Sequence, residues 1–588
     1  MSQENKYYLD NSSLKIDFWL VTVLVCFTLL AWANWGKLQY PIIDVGREVE
    51  ISARLVTGQV LYRDIQTYYG PLSYYANALA LLVFGQHLEV FYGVGIGLAL
   101  AVTLPFYRLA KRLTCSAWAA LCTICILIYC VIGPGLFFFI IPYSYGAAYG
   151  MVMSLIAITA VDCYATTGKR RWLIACAFAC GLAGLAKQEY GVAVLFSVLI
   201  GLNVYPQLNL LTRVKDSVLI IFIAFLTVFI PFTLLAQQVS WEKIYSSLFP
   251  VSQIRIMNRS SLFQVFPRKT LSIWLNTFKF FFFSSWVVIL SMTAAHWLLK
   301  QCRQFHIPQR FSPLVEIFTG FIITKILFKL LKKFVFHTDI IQTAYVSIRI
   351  FQSLSDMSWF IPLIVGWFAL NRPQKNEYKQ APILWMLLGF CLLLNSRWLF
   401  YINFYGLFAI PVVLLFFTLV YYSTKPIRRF VWCYVLICLL FAGSIKISEL
   451  YQYRYTINSS HGSIYTTSAE LARSFNQTIK AINASSATSI LVLPEGNILN
   501  FLTGTHSPSR ELTFLPLVLP TSGDERNFIA QMEEKPPDLI VYVDRSFPEW
   551  GYQRYAQFNP LVDQWITQKH RLIHVFPKDD GAIRIYHS

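Results

Sequence analysis

Runs of about 17 to 25 apolar residues recur along the chain, divided by short loops where the basic residues collect, and no other feature constrains its fold as strongly. They lie near 17–35, 88–109, 117–133, 146–164, 171–186, 190–204, 216–236, 279–299, 314–336, 357–371, 381–396, 403–421 and 429–446. A backbone inside hydrocarbon must satisfy its own polar groups, which a single helix does and an isolated strand does not. The sequence therefore predicts an all-α polytopic membrane domain of about thirteen transmembrane helices, the shorter ones tilted or partly re-entrant.

Composition agrees. Of 588 residues, 56% are hydrophobic and 13% charged, with a mean hydropathy of +0.51, far too apolar for a soluble protein of this length. The net charge of +19 raises the question of nucleic acid. Its residues sit between apolar runs, however, and no long basic arm occurs, so membrane lipids are the expected partners and nucleic acid is not. Arg108/Lys111/Arg112, Lys169/Arg170/Arg171, Arg213/Lys215, Lys300/Arg303/Arg310, Arg372/Lys375/Lys379 and Lys425/Arg428/Arg429 all fall on one side if about thirteen spans are threaded, the side that stays in the cytoplasm. The N-terminus is then cytoplasmic. In 314–336, Lys325, Lys329 and Lys332 recur at helical spacing, which fits a cavity-lining helix and equally an interfacial one with snorkelling lysines.

From Ile447 the chain turns polar. SILVLP (489–494) and DLIVYV (538–543) read as short buried strands, LIHVF and AIRIYH as a final pair, and 468–482 and 524–534 as helices. The expected organisation is a membrane domain over 1–446 and a small extracytoplasmic α/β domain over 447–588. No cysteine follows Cys438, so neither disulfides nor a Cys-based zinc site hold that domain together. The first apolar run has no small-residue cleavage pattern behind it and is expected to remain as a helix.

Two long segments are expected outside, 36–87 and 237–278. The first is dense in charge for this chain, with Asp44, Arg47, Glu48, Glu50, Arg63 and Asp64. Pro41 can open a helix, after which Asp44, Glu48, Ile51 and Leu55 share a face. Asp44 then has two readings, a reactive carboxylate or a first-turn acid near the positive end of a helix dipole. Glu48 and Arg47 read most simply as solvated or mutually paired charges on an interfacial helix.

An acidic residue soon after the first span, then GQVLYRDIQTYYGPLSYY (58–75), then KQEYG (187–191) between the fifth and sixth spans, together resemble the polytopic GT-C glycosyltransferases. The pattern is similar to bacterial protein O-mannosyltransferase-like and aminoarabinose-transferase-like proteins of the glycosyltransferase family 39 type. The resemblance implies an inverting enzyme that moves a sugar from a polyprenyl-phosphate carrier to a lipid, glycan or protein acceptor on the outer face of the cytoplasmic membrane. Asp44 matches the family's catalytic acid and would take the acceptor's proton. Arg63, Lys187 and Arg397 are candidates for the carrier phosphate, each also readable as an end-of-helix cation. Glu48, Tyr69 and Glu189 are further substrate-binding candidates, and Glu189 reads as well as a simple ion-pair partner of Lys187.

Some GT-C enzymes that act on pyrophosphate carriers place further carboxylates in the second external loop. Here that loop is GPGLFFFIIPYSYG (133–146), with no acid or histidine. No metal and no cofactor are therefore expected beyond the lipid-linked donor itself. PEGNILNFLTGTHSPSR (494–510) resembles a segment that follows the last helix in related proteins, and reads as a strand-helix-loop connection.

Two other classes fit many helices with buried cations. A transporter or flippase of lipid-linked sugars should show paired repeats and broken helices at matching positions, and the sequence has neither. A non-catalytic envelope scaffold predicts that Asp44→Asn leaves glycan products unchanged.

Overall fold

The computed structural model describes residues 17–42, 45–135, 138–205, 208–249, 286, 289–299, 312–334, 361–371, 381–396 and 406–588. The helices of its apolar part are α1 (Phe18–Asn34), α2 (Val45–Val56), α3 (Leu72–Phe84), α4 (Leu88–Leu113), α5 (Ser116–Ile126), α6 (Tyr145–Thr167), α7 (Arg170–Ala186), α8 (Gln188–Val204), α9 (Leu210–Ala236), α10 (Trp241–Leu248), α11 (Ile289–Leu299), α12 (Ser312–Phe334), α13 (Ile361–Asn371), α14 (Ala381–Leu394), α15 (Gly406–Tyr422) and α16 (Lys425–Leu450). Among the described residues, α4, α6, α9 and α16 are long and apolar enough to cross a bilayer, with shorter apolar helices beside them.

Side chains fix where several helices begin. Asp17, Ser144 and Asn209 each accept a hydrogen bond from a backbone N–H in the first turn of α1, α6 and α9, satisfying donors the helix itself leaves open. The apolar character of α9 runs all round it, and few of its residues are buried in the protein, as for a helix that meets lipid along most of its length.

The segment 36–87 is not a loop. It folds as α2 and α3, and α3 turns Leu79, Leu82, Val83 and Phe84 outward. Residues 41–42 are a bend and the described helix starts at Val45 rather than at Pro41. Of 237–278, only α10 and its flanks fall within the described residues.

Polar contacts separate the two ends of the bundle. At one end Lys111 Nζ reaches Asp17 at 2.6 Å and Arg112 reaches Asp162 at 3.5 Å. Tyr205 donates to Asp162 (3.1 Å), and Arg213 donates to the Tyr205 carbonyl (2.8 Å). The loop cations around Arg108 and Arg213 thus share one end, as their spacing predicts. Since α7 starts at that end with Arg170, Lys187 at its finish lies at the other.

That other end carries the C-terminal domain: a hairpin of β1 (Tyr455–Ser459) and β2 (Gly462–Thr466), then α17 (Ala469–Ala484), β3 (Ile490–Leu493), α18 (Ile498–Thr503), α19 (Ser522–Glu534), β4 (Leu539–Val543), α20 (Pro560–Lys569), β5 (Arg571–Lys578) and β6 (Gly581–His587). The sheet order is β3-β4-β6-β5, with β3 parallel to β4 and the other pairs antiparallel. Both β3 and β4 are buried at every position, as an apolar run without alternation requires. Phe514, Phe528, Tyr542, Tyr555 and Trp565 fill a core on one face.

The domain is laced to the stretch 36–88 through backbone groups. Tyr465 N donates to Gly36 O (2.8 Å), Leu38 N to Tyr465 O (3.1 Å), Leu88 N to His461 O (2.8 Å) and Gln66 N to Arg510 O (2.9 Å). Gly46 of α2 sits so close to α18 that a Cβ there would be 2.2 Å from Ile498 N.

Candidate active site

The site is built where α2, the 58–75 segment and the break between α7 and α8 meet. Lys187 ends α7 in an extended conformation and α8 begins at once, so the two helices fold back with no loop between them. Their glycines make this possible: a Cβ on Gly191 would lie 2.4 Å from the Cα of Gly184. The result buries Lys187, 4% exposed, beside Glu189 at 3.2 Å.

Gly70 lets the 58–75 segment press onto that break, because it packs directly against the Leu185 carbonyl. Tyr69 is thereby laid over Lys187, whose Nζ is 4.7 Å from the ring centroid. Tyr62, in the left-handed region at φ 66°, donates to the Tyr69 carbonyl at 2.8 Å and steadies the turn. Arg47 reaches the same ring from α2, its guanidinium 5.9 Å from Tyr69 and 5.6 Å from Tyr143. Those two tyrosines join their hydroxyls at 2.5 Å, and Arg47 donates to the Tyr143 carbonyl at 3.1 Å. Two cations from different elements therefore share one aromatic cage, whose ring faces favour cations, and each also meets a carboxylate, Lys187 that of Glu189 at 3.2 Å and Arg47 that of Glu48 at 3.5 Å.

Glu48 is fully buried rather than solvated, and of the two readings its sequence context offers it meets the other, a pairing with Arg47. It accepts from the Tyr145 backbone N–H at 2.9 Å and from the Tyr74 hydroxyl at 3.1 Å, with Arg47 at 3.5 Å. Its carboxylate thus sits at the start of α6, where the helix dipole favours negative charge, and ties α2, α3 and α6 together. Arg47 is likewise mostly buried, at 13% exposed: packing of α2 beneath the C-terminal domain, not the sequence around it, decides this.

Arg63 is not brought into the cage. It is 44% exposed and forks onto its neighbour Asp64 through Nε (3.0 Å) and Nη2 (2.9 Å), since the next residue offers a carboxylate at no chain cost. Asp44 and Arg397 lie outside the described residues. Among the described residues, no three His, Cys, Asp or Glu side chains gather as a metal site would need.

A narrow cleft opens from the cage towards the C-terminal domain. Arg47 and the stretch Gln66–Tyr69 line one side, Glu511, Leu512, Thr513 and Val518 the other. Its far wall is held in place: Arg54 donates to Ser509 O (3.0 Å) and Arg510 to Tyr62 O (2.7 Å), while Phe514 N donates to Pro494 O (2.8 Å) and Asn497 to Leu512 O.

Solved structures similar along nearly the whole chain include the following two. One is ArnT from Cupriavidus metallidurans bound to undecaprenyl phosphate, at 12% identity and TM-score 0.43, covering 97% of each chain. The other is the oligosaccharyltransferase of Archaeoglobus fulgidus in complex with zinc and sulfate, at 11% identity and TM-score 0.48, covering 96% of this chain and 72% of that one. Similarity of this degree says nothing of chemistry. No family model and no curated protein matches the chain.

Of the residues singled out in the sequence, Lys187, Tyr69 and Glu189 come together here, whereas Glu48 turns inward to Tyr145 and Tyr74; Arg47 and Tyr143 beside them, and Glu511 across the cleft, were not among the site candidates. Arg47 sits next to a residue that was singled out, and a charged pair in so apolar a chain is the signal for it. Tyr143 lies in the loop 133–146, which draws notice only for its missing carboxylates. Glu511 has no local signal.

Proposed function

We propose that the chain is an inverting glycosyltransferase that uses a polyprenyl-phosphate sugar, working on the outer face of the cytoplasmic membrane with the C-terminal domain outside. The observation that carries this reading is the convergence of Arg47 and Lys187 on the ring of Tyr69, at the end of the bundle away from the basic loops. The loop asymmetry makes that end the outer one. The motifs around residues 58–75 and 187–191 support the same reading.

In this reaction the bond from the anomeric carbon to the phosphate oxygen breaks while the acceptor oxygen bonds to that carbon from the opposite face. The carrier leaves as a phosphate with added negative charge. Arg47 and Lys187 are fixed cations that stabilise this charge as it develops, with Arg397 as a third member of the set. Glu189 orients Lys187, and Tyr69 holds both cations in register. Asp44, three residues before Arg47 in the sequence, is the base. An aspartate with an ordinary pKa near 4 is weak for a hydroxyl, so proton transfer accompanies bond formation and position outweighs basicity. No metal takes part in this scheme.

The test is turnover by the purified protein given undecaprenyl-phosphate sugars. Wild type is expected to release undecaprenyl phosphate, and Asp44→Asn to bind the donor with release reduced at least a hundredfold, in line with the roughly 10² to 10⁴ contributed by a general base. Equal release from both proteins removes the assignment.

A further inference from the structure

Between α9 and the cage lies α10, a helix whose sides meet three different surroundings. One side is inside the protein: Ile244 belongs to the small core of Tyr62, Ile65 and Leu512, against which Leu248 and Tyr69 also pack. A second side is polar, with Glu242, Lys243 and Ser246 exposed. The third is aromatic. Trp241, Tyr245 and Phe249 recur at a spacing that puts them on one face, where they are 52%, 63% and 50% exposed, and the rings of Tyr245 and Phe249 lie 5.2 Å apart. We propose that this stripe is seated in the membrane leaflet at the cage end of the bundle, which makes α10 an interfacial helix.

The occupant follows from where α10 is attached. α9 starts at the basic-loop end, where Arg213 is bonded to Tyr205, and its 27 residues rise about 40 Å to Ala236. Its last turns still face outward, with Phe229, Ile230 and Leu234 exposed. Only Gln237 to Ser240 separate it from α10, and this link is fixed. Gln238 N and Val239 N donate to Leu235 O at 2.9 and 3.0 Å, and the Ser240 side chain accepts from Lys243 N in the first turn of α10. The stripe therefore continues the lipid-facing surface of α9 at the depth where the bilayer ends. Trp and Tyr collect at that depth, with the ring body in lipid and the polar edge in water. A helix with an apolar side next to a charged one lies along the same boundary.

The far end of α10 is tied to the site. Gln188, the residue after Lys187, donates through Nε2 to Leu248 O at 3.3 Å and to Tyr68 O at 3.4 Å. Ser247 donates to Gln66 Oε1 at 3.4 Å. Seating the stripe therefore also sets the depth of the 66–69 turn and of Tyr69 upon it. None of this depends on which ligand the cage takes.

The experiment uses the full chain in nanodiscs of phosphatidylglycerol. The photoreactive residue p-benzoylphenylalanine replaces, one position at a time, Trp241, Tyr245, Lys243, Ser246, and Phe225 on the exposed side of α9. Lipid adducts are read by mass spectrometry after irradiation. They are expected at Phe225, Trp241 and Tyr245, with the yield at Lys243 and Ser246 falling to that of an unirradiated control. Adducts at Phe225 with none at Trp241 and Tyr245 overturn the seating, as do equal yields on the aromatic and polar sides of α10. Chain-to-chain crosslinks in place of lipid adducts at Tyr245 overturn it in favour of a second copy of the chain. Absence of adducts even at Phe225 overturns the lipid setting of α9, and this inference with it.

Discussion

Gly70 and Leu185 touch so closely that a Cβ on Gly70 would stand 1.9 Å from the Leu185 carbonyl oxygen. The obstacle is backbone, at the last turn of α7, and cannot swing aside as a side chain would. Gly70→Ala must push the 58–75 segment off the break between α7 and α8, and Tyr69 with it. Overpacking of this kind costs about 1–3 kcal/mol. The expected outcome is a lower melting temperature together with loss of undecaprenyl phosphate binding, read by thermal unfolding and lipid binding on the same sample. Wild-type binding in this variant would show that Tyr69 does not need its place over Lys187.

Lys187 is held by the ring of Tyr69 and by Glu189. Lys187→Met keeps most of the side-chain volume and removes the charge. Binding of undecaprenyl phosphate is expected to weaken at least tenfold, since truncating one partner of a buried charge contact costs about 2–5 kcal/mol. Part of the accompanying loss of stability is the missing 3.2 Å contact with Glu189, so Lys187→Met with Glu189→Gln should recover part of the stability but not the lipid affinity. Melting curves and lipid titrations separate the two effects.

Glu48 gives a contrasting case, since its hydrogen bonds are to Tyr145 N–H and Tyr74 rather than outward into the cleft. Glu48→Ala takes the side-chain acceptor from the buried Tyr145 N–H, at about 1–3 kcal/mol for a buried group left unsatisfied, and removes one partner each of Tyr74 and Arg47. Glu48→Gln retains one acceptor oxygen and should lie between Ala and wild type in melting temperature. Should Glu48→Ala melt as wild type does, the carboxylate is not what joins α2, α3 and α6.

Apolar length made most of the membrane helices legible, because a run such as 88–109 has no other way to satisfy its backbone in lipid, and it forms the helix Leu88–Leu113. The strands at Ile490–Leu493 and Leu539–Val543 were legible for a related reason, as short apolar runs between turn residues. The β1–β2 hairpin was not: each strand has a single aliphatic residue, Ile457 or Ile464, among mostly polar neighbours, and β2 pairs with Gly36 and Leu38 far away in sequence. Charge was hardest to place. Arg47 and Arg63 have similar local contexts, yet α2 packs beneath α18 and takes Arg47 inside, while Asp64 keeps Arg63 at the surface. Burial of a charge is decided by contacts between segments, which spacing along one segment does not record.

The interface between α2 and the C-terminal domain carries one further charge whose behaviour with pH can be worked out. Glu50 is buried, its Oε1 accepts no hydrogen bond among the described residues, and burial pushes its carboxyl from the ordinary 4.5 up to about 8 despite the opposing charge of Arg54. The same burial lowers the pKa of Arg54, against the pull of Glu50, Asp64 and Glu511. Because the folded state holds the Glu50 proton more tightly than the unfolded chain, the stability linked to this group is intact below about pH 4.5. It is lost progressively as pH rises towards about 8 and changes little beyond. Glu50→Gln imitates the protonated form and removes that loss. The variant should therefore melt near wild type at pH 5 and above it at pH 9, with the gap opening between these values. The sign distinguishes this from a carboxylate stabilised by Arg54, for which Glu50→Gln would melt below wild type at pH 9; thermal unfolding of both proteins across that range decides between them.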